Sequence, residues 1–266
     1  MSLVEIAPDV RLYVEEEGSG DPVILVHGGS MTHAGWEHQV PALSAEFRTV
    51  SYDFRGIGRS DRTPAGYSID GFAEDLHALM KVLEIERATV AGYALGAHVA
   101  LRLMAASPES VERLVLVSAA PWFVNADGDG GFPPELWARM KRLAATDRGQ
   151  ADLALIDSEY FHREPSEGMR MWCAQMAFTW PLPVFQQLAT TLPDVNHDAL
   201  LEKIDVPTLV IHGRHDRKNR YQGGAYLAEK IPGARLATME ESAHCPLLEE
   251  VEAFNAVLLD FLRTSR

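Results

Sequence analysis

The stretch Ala91-Gly92-Tyr93-Ala94-Leu95-Gly96-Ala97 constrains this chain more than any other. It follows a short apolar run over 88–91 and opens an Ala/Leu-rich run over 97–106, so the spacing predicts a sharp turn from a strand into a helix. In the pattern Gly-x-Ser-x-Gly, the glycines before and after the central residue leave room for a strained backbone that lifts one side chain above a sheet. Gly92 and Gly96 keep that geometry, and the lifted residue here is Ala94, which carries a methyl group and no attacking oxygen.

The flanking sequence repeats the same order of elements. Residues 10–17 alternate well enough for an edge strand, and 18–22 form a Gly/Pro turn. Val23-Ile24-Leu25-Val26 is a continuous apolar run, as expected of a strand buried on both faces, and it ends in His27-Gly28-Gly29-Ser30-Met31. A helix is expected over about 36–46 and a strand over 48–53. The loop Phe54-Arg55-Gly56-Ile57-Gly58-Arg59-Ser60 follows. Residues 70–83 place Phe72, Leu76, Leu79, Met80 and Leu83 on one helical face, and 111–117 reads as another strand. Strands alternating with helices give an α/β fold with a parallel sheet covered on both faces.

The alternation stops between 121 and 195. That segment has helical pieces, prolines and four of the five tryptophans, Trp122, Trp137, Trp172 and Trp180, and it lacks a strand run. It reads as a helical cap inserted into a core made of 1–120 and 196–266. Most of its aromatic residues are expected to form the cap's own core, with a few lining an apolar cavity. Trp122, Trp172 and the loop residue Ser30 are the candidates for substrate contact. The sheet resumes over 206–212, then come a helix over 225–231, a strand over 234–239, and a closing amphipathic helix over 251–262. Every candidate loop thus lies at the carboxyl end of a strand, where open parallel sheets build their sites.

Composition narrows the partners. A net charge of -14 argues against nucleic acid and anionic membranes, which demand clustered Lys and Arg. No run approaches the roughly 20 apolar residues of a membrane span, and 1–6 lack the features of a signal peptide. Cys173 and Cys245 stand in unrelated contexts, which points to reduced thiols and a cytoplasmic setting. His33, His38 and His98 have no partners at ligand spacing, so neither a metal nor another cofactor is expected. Gly56-Ile57-Gly58 lacks the third glycine and the helix start of a dinucleotide loop. A small molecule is the expected partner; the sequence sets no oligomeric state and allows a homodimer.

Ala94, Asp216 and His244 fall in the chain order nucleophile position, acid, base. The acid would hold one imidazole nitrogen so that the other can take a proton from a nucleophile or water. Two donors for an oxyanion are expected from the N–H groups of Leu95, next to the turn residue, and Gly29, in the loop after the first buried strand. Asp53 and Arg55 are expected to fix loops.

With His27-Gly28-Gly29, residues 52–60, the turn at 92–96, Gly213-Arg214-His215-Asp216 and Ala243-His244 in order, the chain resembles the α/β-hydrolases. The resemblance covers nearly all of it outside the cap. It implies a mostly parallel eight-stranded sheet with helices on both faces, and a triad mapping onto 94, 216 and 244. The chain is similar to 3-oxoadipate enol-lactonases and related esterases, which carry serine at the position of Ala94. Gly92 through Ala97 also resemble the Gly-His-Ala-Leu-Gly-Ala of aminoacrylate hydrolases of pyrimidine utilisation.

Three expectations follow. The first is an ester or lactone hydrolase for a small, largely apolar substrate, inactivated by replacement of its serine with Ala94. The second is a native Ala94 enzyme in which His244 and Asp216 activate water on an aminoacrylate, carbamate or enol-lactone. The third is a non-catalytic protein that binds a small ligand.

Overall fold

The computed structural model describes residues 1–125 and 130–264. Its eight strands are β1 (Ser2–Ala7), β2 (Val10–Glu17), β3 (Pro22–Val26), β4 (Arg48–Tyr52), β5 (Ala88–Tyr93), β6 (Val111–Val117), β7 (Thr208–Gly213) and β8 (Arg235–Met239). They form one sheet in the order β1-β2-β4-β3-β5-β6-β7-β8. The β1–β2 and β2–β4 pairs are antiparallel, and all other pairs are parallel. The expected α/β-hydrolase architecture is therefore present.

The helices are α1 (Val40–Ser44), α2 (Ile69–Val82), α3 (Leu95–Ala106), α4 (Pro134–Thr146), α5 (Arg148–Leu155), α6 (Glu167–Phe178), α7 (Leu182–Thr191), α8 (Asp198–Leu201), α9 (Tyr221–Lys230), α10 (Pro246–Glu249) and α11 (Val251–Thr264). Strands β5 and β7 are buried at every residue, as their unbroken apolar runs require when helices cover both faces. Helix α2 buries Phe72, Leu76, Leu79 and Met80 on the predicted face, and Ser68 Oγ caps it by accepting from Gly71 N at 3.0 Å. No helix is long and apolar enough to cross a membrane among the described residues.

Two elements differ from the sequence reading. Strand β1 is an edge strand with no fully buried residue, whose short mixed run gave little periodic signal. The single helix expected over about 36–46 is instead a 3-10 turn, His33–Trp36, followed by α1. Pro41, in the first turn of α1, has no N–H to extend a helix from residues before it. The predicted helical stretch between β6 and β7 consists of α4 to α7 with a π-helical turn at Ile156–Tyr160. Isolated bridges Trp122–Asn196 and Val124–Phe132 lie at its base. The part of the expected cap at 126–129 lies outside the described residues.

Candidate active site

The turn between β5 and α3 has the strained geometry expected of it. Ala94 sits at φ 48° and ψ -106°, a region costly for any residue with a side chain. A Cβ on Gly92 would collide with the Gly96 carbonyl, and one on Gly96 with the Val26 carbonyl, so both positions require glycine. Ala94 N donates to Val117 O at 2.8 Å, which fastens the turn to β6.

Asp216 follows β7 and His244 follows β8, and the parallel pairing of these strands brings the two side chains together. His244 Nδ1 lies 2.8 Å from Asp216 Oδ2. The other carboxylate oxygen accepts the backbone N–H groups of Lys218 and Asn219, each at 2.9 Å. His212, at the end of β7, adds an Nε2 contact to Asp216 Oδ2 at 3.2 Å. Burial alone would raise the Asp216 pKa, but the histidines outweigh it and hold the carboxyl far below its ordinary range. Burial pushes His244 down to about 4, with Asp216 pulling the other way. At neutral pH this is a neutral imidazole, held by Asp216 at Nδ1.

The structure also supplies a residue that sequence reasoning missed. Lys218 Nζ lies 3.1 Å from His244 Nε2. The lysine is buried, its ammonium disfavoured by burial, and Tyr160 lies under it with Nζ 5.0 Å from the ring centroid. Its one signal in the sequence was position, two residues beyond the acid in the same loop.

Ala94, Leu95, Gly29, Ser30 and Lys218 line one cavity, roofed by Phe132, Trp137, Trp180 and Phe185 among others. A Cβ built on Gly29 would stand 3.9 Å from Leu95 Cβ, so the two expected donor residues are neighbours. Leu95 is the first residue of α3, where a backbone N–H has no partner within the helix. Ser30 Oγ donates to Asp152 Oδ1 at 3.1 Å, and Asp152 is gripped by Arg148 through contacts of 3.0 and 3.2 Å. Trp180 Nε1 donates to Met31 O at 2.7 Å, and Tyr160 Oη donates to Gly29 O at 3.3 Å. Three side chains of the helical insertion therefore fasten the loop after β3.

Two predicted contact residues lie elsewhere. Trp122 is not among the lining residues; its ring packs against Tyr226 of α9 at 4.9 Å between centroids, and its backbone bridges to Asn196. Trp172, on α6, packs partly buried against the core and also leaves the cavity to Trp137 and Trp180. Asp53 holds the backbone N–H groups of His33 and Arg59 at 2.8 and 2.9 Å, and Arg55 holds Asp75 at 2.6 Å, so both fix loops. Cys173 and Cys245 are free and buried.

This sheet order, with a strained turn after β5 and a histidine–aspartate pair beyond β7 and β8, agrees with the comparisons by sequence. The alpha/beta hydrolase fold family matches residues 21–251. The chain belongs to the α/β-hydrolase fold family. Within that family it is similar to the AB hydrolase superfamily protein YisY of Bacillus subtilis (strain 168), with 32% identity over 256 residues and 95% of each chain covered. Among solved structures it resembles an esterase from Exiguobacterium antarcticum, with a TM-score of 0.90, 29% identity and 96% of each chain covered. It also resembles the enol-lactonase from Burkholderia xenovorans LB400, with a TM-score of 0.84, 25% identity, and 96% of this chain and 97% of that one covered. The family resemblance read from the motifs holds.

Proposed function

We propose that this α/β-hydrolase cleaves an ester or lactone of a small, largely apolar substrate without an elbow nucleophile, using water and the His244–Asp216 pair. The observation that carries this reading is the neighbour of His244 Nε2. A serine hydrolase reserves that nitrogen for the serine hydroxyl, whereas here a buried amine occupies it at 3.1 Å. A water entering the cavity meets Lys218 first, and its proton passes through the amine to His244 as the oxygen attacks the carbonyl carbon. Asp216 stabilises the imidazolium, and the N–H groups of Gly29 and Leu95 receive the oxyanion; as the carbonyl re-forms, the C–O bond to the leaving alkoxide breaks and the alkoxide takes the proton back from His244 through the amine. The aromatic lining suits an apolar acyl or ring-bearing part. The esterase and enol-lactonase among the similar structures support a carbonyl substrate of this class.

The strained backbone at Ala94 favours a second reading, a serine hydrolase that lacks its nucleophile. Removing such a serine costs about 10⁶ in turnover, and the remaining machinery retains about 10³ to 10⁴ over water. The test compares the chain with Ala94→Ser on p-nitrophenyl esters, small lactones and an enol-lactone. Equal or lower rates in the serine form, with hydrolysis by the alanine form lost in His244→Ala, are the expected result. A gain of several orders of magnitude on adding serine, itself lost in His244→Ala, would establish the second reading and overturn the first.

A further inference from the structure

The chain has five lysines. Lys81, Lys141 and Lys203 are exposed and Lys230 is half-buried, whereas Lys218 is 7% exposed and faces the cavity. Its Nζ has His244 Nε2 at 3.1 Å, the Tyr160 ring at 5.0 Å and the Phe132 ring at 5.8 Å. Asp216, Asp152, Glu159 and Cys245 favour its charged form from their several elements, yet burial outweighs them and leaves the amine easier to deprotonate than a surface lysine. Asp216 Oδ1 is already taken by two backbone N–H groups and Oδ2 by His244 and His212, so Lys218 Nζ meets the carboxylate only through the imidazole. An amine in an apolar pocket beside a base has the arrangement of an activated nitrogen nucleophile.

The geometry points to Lys218 as an amine nucleophile that condenses reversibly with the carbonyl of a small apolar aldehyde or ketone in this cavity. The lone pair on neutral Nζ forms the C–N bond while the carbonyl π pair moves to oxygen, where the Gly29 and Leu95 N–H groups receive it. Nζ then loses a proton to His244 Nε2, which returns it to the oxygen and leaves a neutral carbinolamine. Loss of that hydroxyl with the second Nζ proton releases one water and leaves an imine. No oxidant or reductant takes part. This activity needs no hydrolytic turnover, so it stands or falls apart from the proposed ester or lactone cleavage.

The test is reductive trapping. The full chain is incubated near neutral pH with benzaldehyde or butanal and sodium cyanoborohydride, and the modified lysines are located by peptide mass mapping at short times. Lys218 is expected to be alkylated about tenfold or more faster than Lys81, Lys141 and Lys203, because its nitrogen sits in an apolar cavity beside a base while theirs are exposed. Labelling at 218 should disappear in Lys218→Arg and slow in His244→Gln, with folding of each variant checked by circular dichroism. Modification confined to the surface lysines, or Lys218 labelled no faster than they are, overturns the inference while leaving the ester and lactone assays to judge hydrolysis. Fast labelling without any hydrolysis supports it and removes only the hydrolytic reading.

Discussion

At the scale of single residues, the site is a chain of three buried groups, Asp216, His244 and Lys218, each setting the protonation of the next. As a base, His244 must be neutral; with its pKa pushed down to about 4, protonation of this imidazole should lower kcat/KM only below that pH, and any earlier loss should run parallel with loss of the folded circular dichroism signal. The Lys218 charge contributes to that depression. In Lys218→Met the protonated imidazole loses a nearby cation, so the His244 pKa should rise, which imidazole resonances followed by NMR titration would show. An unchanged titration would mean that Lys218 lies farther from the ring than 3.1 Å. Asp216→Asn should leave the fold intact while lowering kcat/KM by about 10³ to 10⁴, because an amide favours the wrong imidazole tautomer. The sequence disclosed Asp216 and His244 because their place after successive strands is a topological signal. Lys218 was illegible because a lysine in a loop usually reaches solvent, and only the packing of Phe132 and Tyr160 shows that this one does not.

At the scale of elements, the turn between β5 and α3 is held by contacts that tolerate no added atoms. Gly96→Ala would drive a methyl group into the Val26 carbonyl and should cost roughly 1–3 kcal/mol by overpacking, measured as a lowered midpoint in urea. The order of strands and helices in the core was readable because buried parallel strands are short apolar runs punctuated by glycine loops. The helical insertion was readable only as a region. Which of its aromatic residues face the cavity depends on how α4 and α7 roll against the loop after β3, and neither helix has a side-chain cap that would fix its start in sequence. Hence Trp137, Trp180 and Phe185 line the cavity where Trp122 and Trp172 were expected. Trp180→Phe keeps most of the apolar surface but deletes the 2.7 Å bond to Met31 O, and it should cost about 1 kcal/mol in stability and raise KM for apolar esters. A variant with unaltered KM would place the indole outside the substrate's path.

At the scale of the whole molecule, burial of histidine makes the fold sensitive to acid. His27, His197 and His244 are each pushed down to about 4 by burial, and His98 lies well below its ordinary value for the same reason. Between pH 6.5 and 4 the unfolded chain protonates these rings and the folded chain does not, so their stabilisation is complete above pH 6.5 and is lost on acidification. Glu249, pushed up to about 7 by burial, works in the opposite sense over most of that range. Unfolding near pH 5.5 should therefore take up protons, so stability should rise with pH across that range, with Asp75 and Asp152, raised by burial, reducing the rise as Glu249 does, checked by urea midpoints. The three bonds from Asp152, Tyr160 and Trp180 to the loop of Gly29, Ser30 and Met31 join roof and floor. A bulky ligand that lifted the roof would pull on the floor as well, so under the proposed hydrolysis selection by size would be exerted on the rate of the chemical step as well as on admission.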